Sequence, residues 1–136
     1  MTHAMAQIDD VRLHYVRAGQ GEPVLLVHSW PQTWYEWYRV IPHLVEAGHE
    51  VIAVDMRGAG DSSRPASGYD SNTVADELHA LVRQLGFATI RLVAHDNGAR
   101  VAYAYAARHQ AEVKSLVFLE SKILGIESDD DASKEY

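Results

Sequence analysis

The 136-residue sequence contains no cysteine. That excludes disulfides, thiolate catalysis and cysteine-ligated zinc together. No apolar run approaches the roughly 18 residues that a membrane span needs. The opening stretch MTHAMAQIDD lacks an apolar segment and does not read as a signal peptide. These absences fit a cytoplasmic chain. Positive charge is scarce, with 12 Lys and Arg against 19 Asp and Glu, for a net charge of −7. That balance argues against nucleic acid or an anionic membrane as a partner. Neither G-x-G-x-x-G nor a Gly-Lys-Ser/Thr loop occurs, so no nucleotide cofactor is expected. His14, His43, His49 and His79 show no H-x-x-x-H or H-E-x-x-H spacing, and no metal site is expected.

What is present reads as one globular domain, with 47% hydrophobic and 23% charged residues. Two hydrophobic periods alternate along the chain. Residues 11–16 alternate like a half-exposed strand, and residues 18–21 form a turn. Short continuous apolar runs at residues 23–28, 50–55, 89–95 and 113–119 read as strands buried on both faces. Between them, Trp34, Trp37, Val40, Ile41, Leu44 and Val45 make a helical stripe over residues 34–47, closed by Gly48. Val74, Leu78, Leu81, Val82 and Leu85 make another over residues 71–85, with Ser71 or Asn72 as cap. Residues 97–109 form an alanine-rich third. Buried strands alternating with helices imply right-handed crossovers in a mostly parallel sheet covered on both faces, a three-layer α/β sandwich. From Ile126 onward the pattern gives way to an acidic tail, expected to be a solvated end.

In such a sheet, ligands bind outside the carboxyl ends of the strands. Three segments place polar residues there. The sharpest is Ala94-His95-Asp96-Asn97-Gly98, where a small residue stands two before Asp96 and another two after it. That is the layout of a nucleophile elbow. A carboxylate at its centre suits displacement at a strained or activated alkyl carbon, giving an alkyl-enzyme ester. The competing reading is that Asp96 merely caps the following helix. In the second segment, His28-Ser29-Trp30-Pro31, the Trp30 amide would pair with the Asn97 amide as an oxyanion hole. Trp34 and Trp37 read as core aromatics. The third segment, Asp55 to Ser62, reads as a tight glycine loop rigidified by ion pairs. Arg100, one turn after Asp96, faces the same cleft, either to bind a substrate carboxylate or to pair with a loop acid.

Over residues 11–125 the chain resembles the N-terminal half of an α/β-hydrolase, and within that superfamily the epoxide hydrolases and their dehalogenase relatives. The resemblance is carried by LLVHSWPQTWYEW, VIAVDMRGAGDSSRP and LVAHDNGARVAYAYA in that order. It implies Asp96 as nucleophile, the Trp30 and Asn97 amides as oxyanion hole, and His28 as a loop-stabilising histidine. Pro31, His95 and Arg100 would support the site. The substrate would be a small molecule, an epoxide or an organohalide. Ser29 stands where the family usually has glycine, which predicts strain in that loop. Asn97 replaces the tryptophan or arginine that follows the nucleophile in dehalogenases, which favours the epoxide reading. Family members continue through a cap domain, a late acid and a late histidine base. Residues 1–125 therefore read as half of a hydrolase core, and residues 126–136 as the start of the cap region. On this expectation the chain forms an ester without turning it over, and it self-associates through the exposed edge strand at residues 113–119. A non-catalytic half-domain that pairs with itself or a partner is the other reading.

Overall fold

The computed structural model describes residues 1–121. The acidic tail lies outside the described residues. Six strands form one sheet in the order β1-β2-β4-β3-β5-β6. They are β1 (Thr2–Ile8), β2 (Val11–Ala18), β3 (Glu22–Val27), β4 (His49–Val54), β5 (Ile90–His95) and β6 (Val113–Leu119). β4, β3, β5 and β6 run parallel, and β1 and β2 add antiparallel neighbours at one side.

The parallel strands are apolar at successive positions because both faces are covered. Leu25, Val27, Ile52, Val54, Leu92 and Ala94 point into one core with α2 (Ser71–Gln84) and α3 (Asn97–Arg108). Val24, Leu26, Val51 and Ala53 point into a smaller second core with Trp37 and with Ile41 of α1 (Ile41–Glu46). The arrangement is the expected three-layer sandwich.

Local departures from the sequence reading have physical causes. The stripe over residues 34–47 is not one helix. It is a 3-10 turn over Trp34–Trp37 followed by α1, with Pro42 near the start of α1. Proline is tolerated in a first turn and not in a helix interior, so the stripe breaks there. Asp70, not Ser71 or Asn72, caps α2, accepting the Thr73 amide at 3.0 Å. Strand β1 is an addition. It pairs with β2 through a tight turn in which Asp9 has φ 51°. β6 lies at the end of the described sheet, and its Val117 and Leu119 are exposed.

Candidate active site

The carboxyl ends of β3, β4 and β5 gather the three polar segments. Between β5 and α3 the chain turns sharply at Asp96, whose φ of 53° and ψ of −120° lie outside the regions open to L-residues at low cost. Holding a non-glycine residue there costs of order 1–3 kcal/mol. The turn needs small neighbours. Ala94 is fully buried, and a Cβ built on Gly98 would stand 2.4 Å from the His28 carbonyl oxygen and 2.6 Å from that of Val27. The Asp96 amide donates to the Leu119 carbonyl at 3.0 Å, which ties the turn to β6. Although Asp96 occupies the cap position of α3, its side chain makes no capping hydrogen bond. The capping reading therefore fails, and a half-buried carboxylate is left at the helix start with no hydrogen-bond partner among the described residues.

The loop after β3 faces that turn. His28 is buried. Its Nδ1 lies 2.8 Å from the Ser29 carbonyl and its Nε2 accepts the Met56 amide at 3.0 Å. Only the neutral Nδ1–H tautomer serves both contacts. Burial pushes the His28 pKa down, in the same direction. Both His28 nitrogens are thus engaged within the fold. Ser29 is not in a left-handed conformation, so the strain expected of a glycine replacement is absent. Its amide instead donates to Glu36 Oε2 at 2.9 Å and its hydroxyl to Oε1 at 3.3 Å. Trp30 follows, 74% exposed, and is joined to Pro31 by a cis peptide bond.

An open cleft of about 800 Å³ is lined by His28, Trp30, Pro31, Asn97 and Arg100, together with the Met56–Gly60 loop. The structure brings these five residues to one cleft. Asp96 and His95 are not part of that lining. His95 turns toward two carboxylates: its Nδ1 meets Glu36 Oε1, and its Nε2 lies 3.3 Å from Glu120 Oε2. The Glu36 contact, reinforced by Glu120, raises the His95 pKa. Arg100 is exposed and makes no ion pair among the described residues, so the loop-acid alternative is not what holds it. The Asp55–Ser62 loop is rigidified from both ends. Arg57 pairs with buried Glu77, its Nε lying 2.7 Å from Oε1. Asp55 accepts the Trp34 amide at 2.8 Å, the Asp61 amide at 3.1 Å and His14 Nδ1 at 2.7 Å.

Sequence reasoning passed over Glu36 and Glu120. Glu36 sits within an aromatic run, WYEW, with no spacing signal toward His95. Glu120 follows β6 directly and has φ 49°, a second left-handed non-glycine residue at the carboxyl edge. Its place after an apolar strand was legible as a site position, by the same rule that singled out Asp96. Two described clusters gather enough donors for a cation, His79-His109-Glu112 and His14-Asp55-Asp61. In the first, the imidazoles stack face to face at 3.6 Å, so their lone pairs do not converge, and Arg83 supplies a cation to Glu112 at 3.2 Å. In the second, His14 and Asp55 bond to each other. Both read as ion-pair clusters.

A strand–turn–helix elbow at the carboxyl edge, facing an amide-bearing loop across a cleft, defines a hydrolase-type α/β domain. The sequence matches the model of the alpha/beta hydrolase fold over residues 22–135, and the chain belongs to that family. It is 44% identical over 120 residues to the soluble epoxide hydrolase of Corynebacterium sp. (strain C12), covering 88% of this chain and 42% of that protein. The crystal structure of Cfl2 from Burkholderia cenocepacia superposes with a TM-score of 0.88 at 41% identity, covering 94% of this chain and 44% of that one. The structure of epoxide hydrolase CorEH without ligand does so at 0.88 and 43%, covering 95% and 45%. The chain thus spans less than half the length of these relatives.

Proposed function

We propose that this chain carries the nucleophile half of an epoxide-opening hydrolase, with Asp96 as the attacking group. An Asp96 carboxylate oxygen forms a bond to an epoxide carbon, the ring C–O bond breaks, and its electron pair goes to the epoxide oxygen, which takes a proton from an acid outside the described residues, such as a cap tyrosine of the family would supply. Water then adds to the ester carbonyl. The Trp30 and Asn97 amides receive the second Asp96 oxygen in both steps, orienting the first oxygen for attack and then meeting the negative charge that develops when water adds. The ester C–O bond breaks, releasing a diol and restoring Asp96. The water must lose a proton to a base. His28 is engaged at both nitrogens and His95 faces two carboxylates. The base therefore comes from outside the described residues, as the late histidine of the family would.

The observation that carries this reading is the backbone of Asp96, held at φ 53° with a side chain that caps nothing. Strain without a structural return points to chemistry. The epoxide class is supported by the names of the relatives. The test is intact mass spectrometry after incubation with styrene oxide and with chloroacetate. One adduct mapped to Asp96 with the epoxide, absent in Asp96→Asn, is expected. A folded chain that forms none refutes the reading for this half alone. Exposed Arg100 in the cleft favours a second reading, hydrolysis of a haloacid whose carboxylate Arg100 binds. An adduct from chloroacetate, and none from the epoxide, would establish it. Self-association through the β6 edge belongs to the same proposal, and a monomer peak in size-exclusion light scattering would remove it.

A further inference from the structure

Glu36 makes contacts that no step above uses. It lies on the 3-10 turn over Trp34–Trp37, and its side chain is only 12% exposed. Oε2 accepts the Ser29 amide and Oε1 the Ser29 hydroxyl, while Oε1 also meets His95 Nδ1. Gln32, with its amide turned to donate, reaches Oε1 at 3.2 Å. One carboxylate therefore bridges two segments that also meet through the sheet and where Gly98 packs against the His28 carbonyl. Ser29 directly precedes Trp30, and His95 directly precedes Asp96 and Asn97. The two amides proposed to share the oxyanion come one from each segment. Their separation is set by whatever fixes Ser29 relative to His95, and Glu36 is the side chain that touches both. The Ser29 hydroxyl adds a contact that glycine lacks, which gives the departure from the family pattern a purpose.

We infer that Glu36 is a positioning residue that locks the Trp30 loop to the Asp96 elbow through Ser29 and His95. The inference rests on the proposed reaction for its consequence but not for its existence as a link. His95 is the switchable member. It faces Glu36 from the 3-10 turn and Glu120 from the end of β6. Its protonated ring donates to both carboxylates, and loss of its proton weakens the contact to Glu36.

The test is a pH titration of the chain by NMR, following the His95 ring and the Ser29, Trp30 and Asn97 amides. In the wild type the Ser29 and Trp30 amides are expected to shift with the same midpoint as His95, across the gap between the two segments. In Glu36→Gln the His95 midpoint falls and the Ser29 and Trp30 amides no longer follow it. Adduct formation at Asp96 with styrene oxide slows by roughly tenfold to a hundredfold, the scale of misplacing one group by about 1 Å. Ser29 and Trp30 amides that ignore His95 in the wild type overturn the inference, and that experiment needs no variant to fold. A Glu36→Gln chain with unchanged coupling overturns it as well. If the coupling is present but the wild type forms no adduct, the nucleophile reading fails and the lock stands. If adduct forms at an unchanged rate in Glu36→Gln, the lock has no positioning role.

Discussion

Asp55 and Asp96 stand just past the carboxyl ends of β4 and β5, with β3 between those strands. Their surroundings are opposite. Asp55 is buried and accepts two backbone amides and the His14 ring, so its carboxylate holds together β2, the glycine loop and the 3-10 turn. Asp96 is half-buried, stands in a strained backbone and caps nothing. Each also has a histidine beside it. His28, bonded to the amide next to Asp55, is held neutral by burial. His95, next to Asp96, has its pKa raised by Glu36 and, less strongly, by Glu120. The pair teaches that position in an α/β sheet does not assign a role. What assigns it is whether the fold uses up the acceptor capacity of the side chain.

The comparison is broken most severely at Asp55. Asp55→Ala leaves the Trp34 and Asp61 amides and the buried His14 ring without their acceptor. A loss of about 3–5 kcal/mol is expected, enough to unfold a marginal domain, read by urea denaturation. Gly98→Ala comes next. Its Cβ has 2.4 Å to the His28 carbonyl, and the overpacking costs about 1–3 kcal/mol by the same measurement. Because the elbow and the loop are pushed apart, adduct formation at Asp96 falls with it.

The histidines sharpen the contrast with pH. His28 has a folded pKa below its ordinary value of 6.5, so the unfolded chain binds the extra proton first. Its contribution to stability is present above pH 6.5 and lost as pH falls from there through the folded pKa. His95 has a raised folded pKa, so its contribution is present below pH 6.5 and lost as pH rises through that higher value. Denaturation midpoints between pH 5 and 9 are expected to fall on both sides. His28→Gln should remove the acid limb and Glu36→Gln the alkaline one. A midpoint that only rises with pH would show that His95 is not coupled as described. The smallest change in stability is expected at Asp96 itself. Asp96→Asn should move the denaturation midpoint by less than about 0.5 kcal/mol, as expected where no native contact is lost, while abolishing the adduct. A large destabilisation would put Asp96 in the same structural class as Asp55.

Much of the site was legible because its signals are local. Small residues at Ala94 and Gly98 around an acid, after an apolar run and before an alanine-rich helix, describe a turn whose geometry those few residues dictate. The loop His28-Ser29-Trp30-Pro31 was found in the same way, from its place after a buried strand. Of the two tryptophans expected in the core, Trp37 is buried and Trp34 is half-buried against the smaller core, while Trp30 in the loop is exposed. The contact of Ser29 with Glu36 was not legible. Its partner Glu36 is close in sequence, but what gives the pair meaning is His95, 59 residues from Glu36. β1 escaped notice because THAMAQI alternates only weakly, and its pairing with β2 makes it a strand.

By itself, then, the sequence determined the alternation of buried strands and amphipathic helices, the three-layer class and the elbow at Asp96. Each of these follows from hydrophobic period and from steric limits among neighbours in the chain. Only the tertiary structure decided that β4 inserts between β2 and β3, that Asp55 is consumed as a structural acceptor while Asp96 is not, and that Glu36 spans the cleft-forming loop and the elbow. Those facts depend mostly on contacts between residues tens of positions apart, such as His14–Asp55 and Glu36–His95, whose partners are selected by the packed fold as a whole.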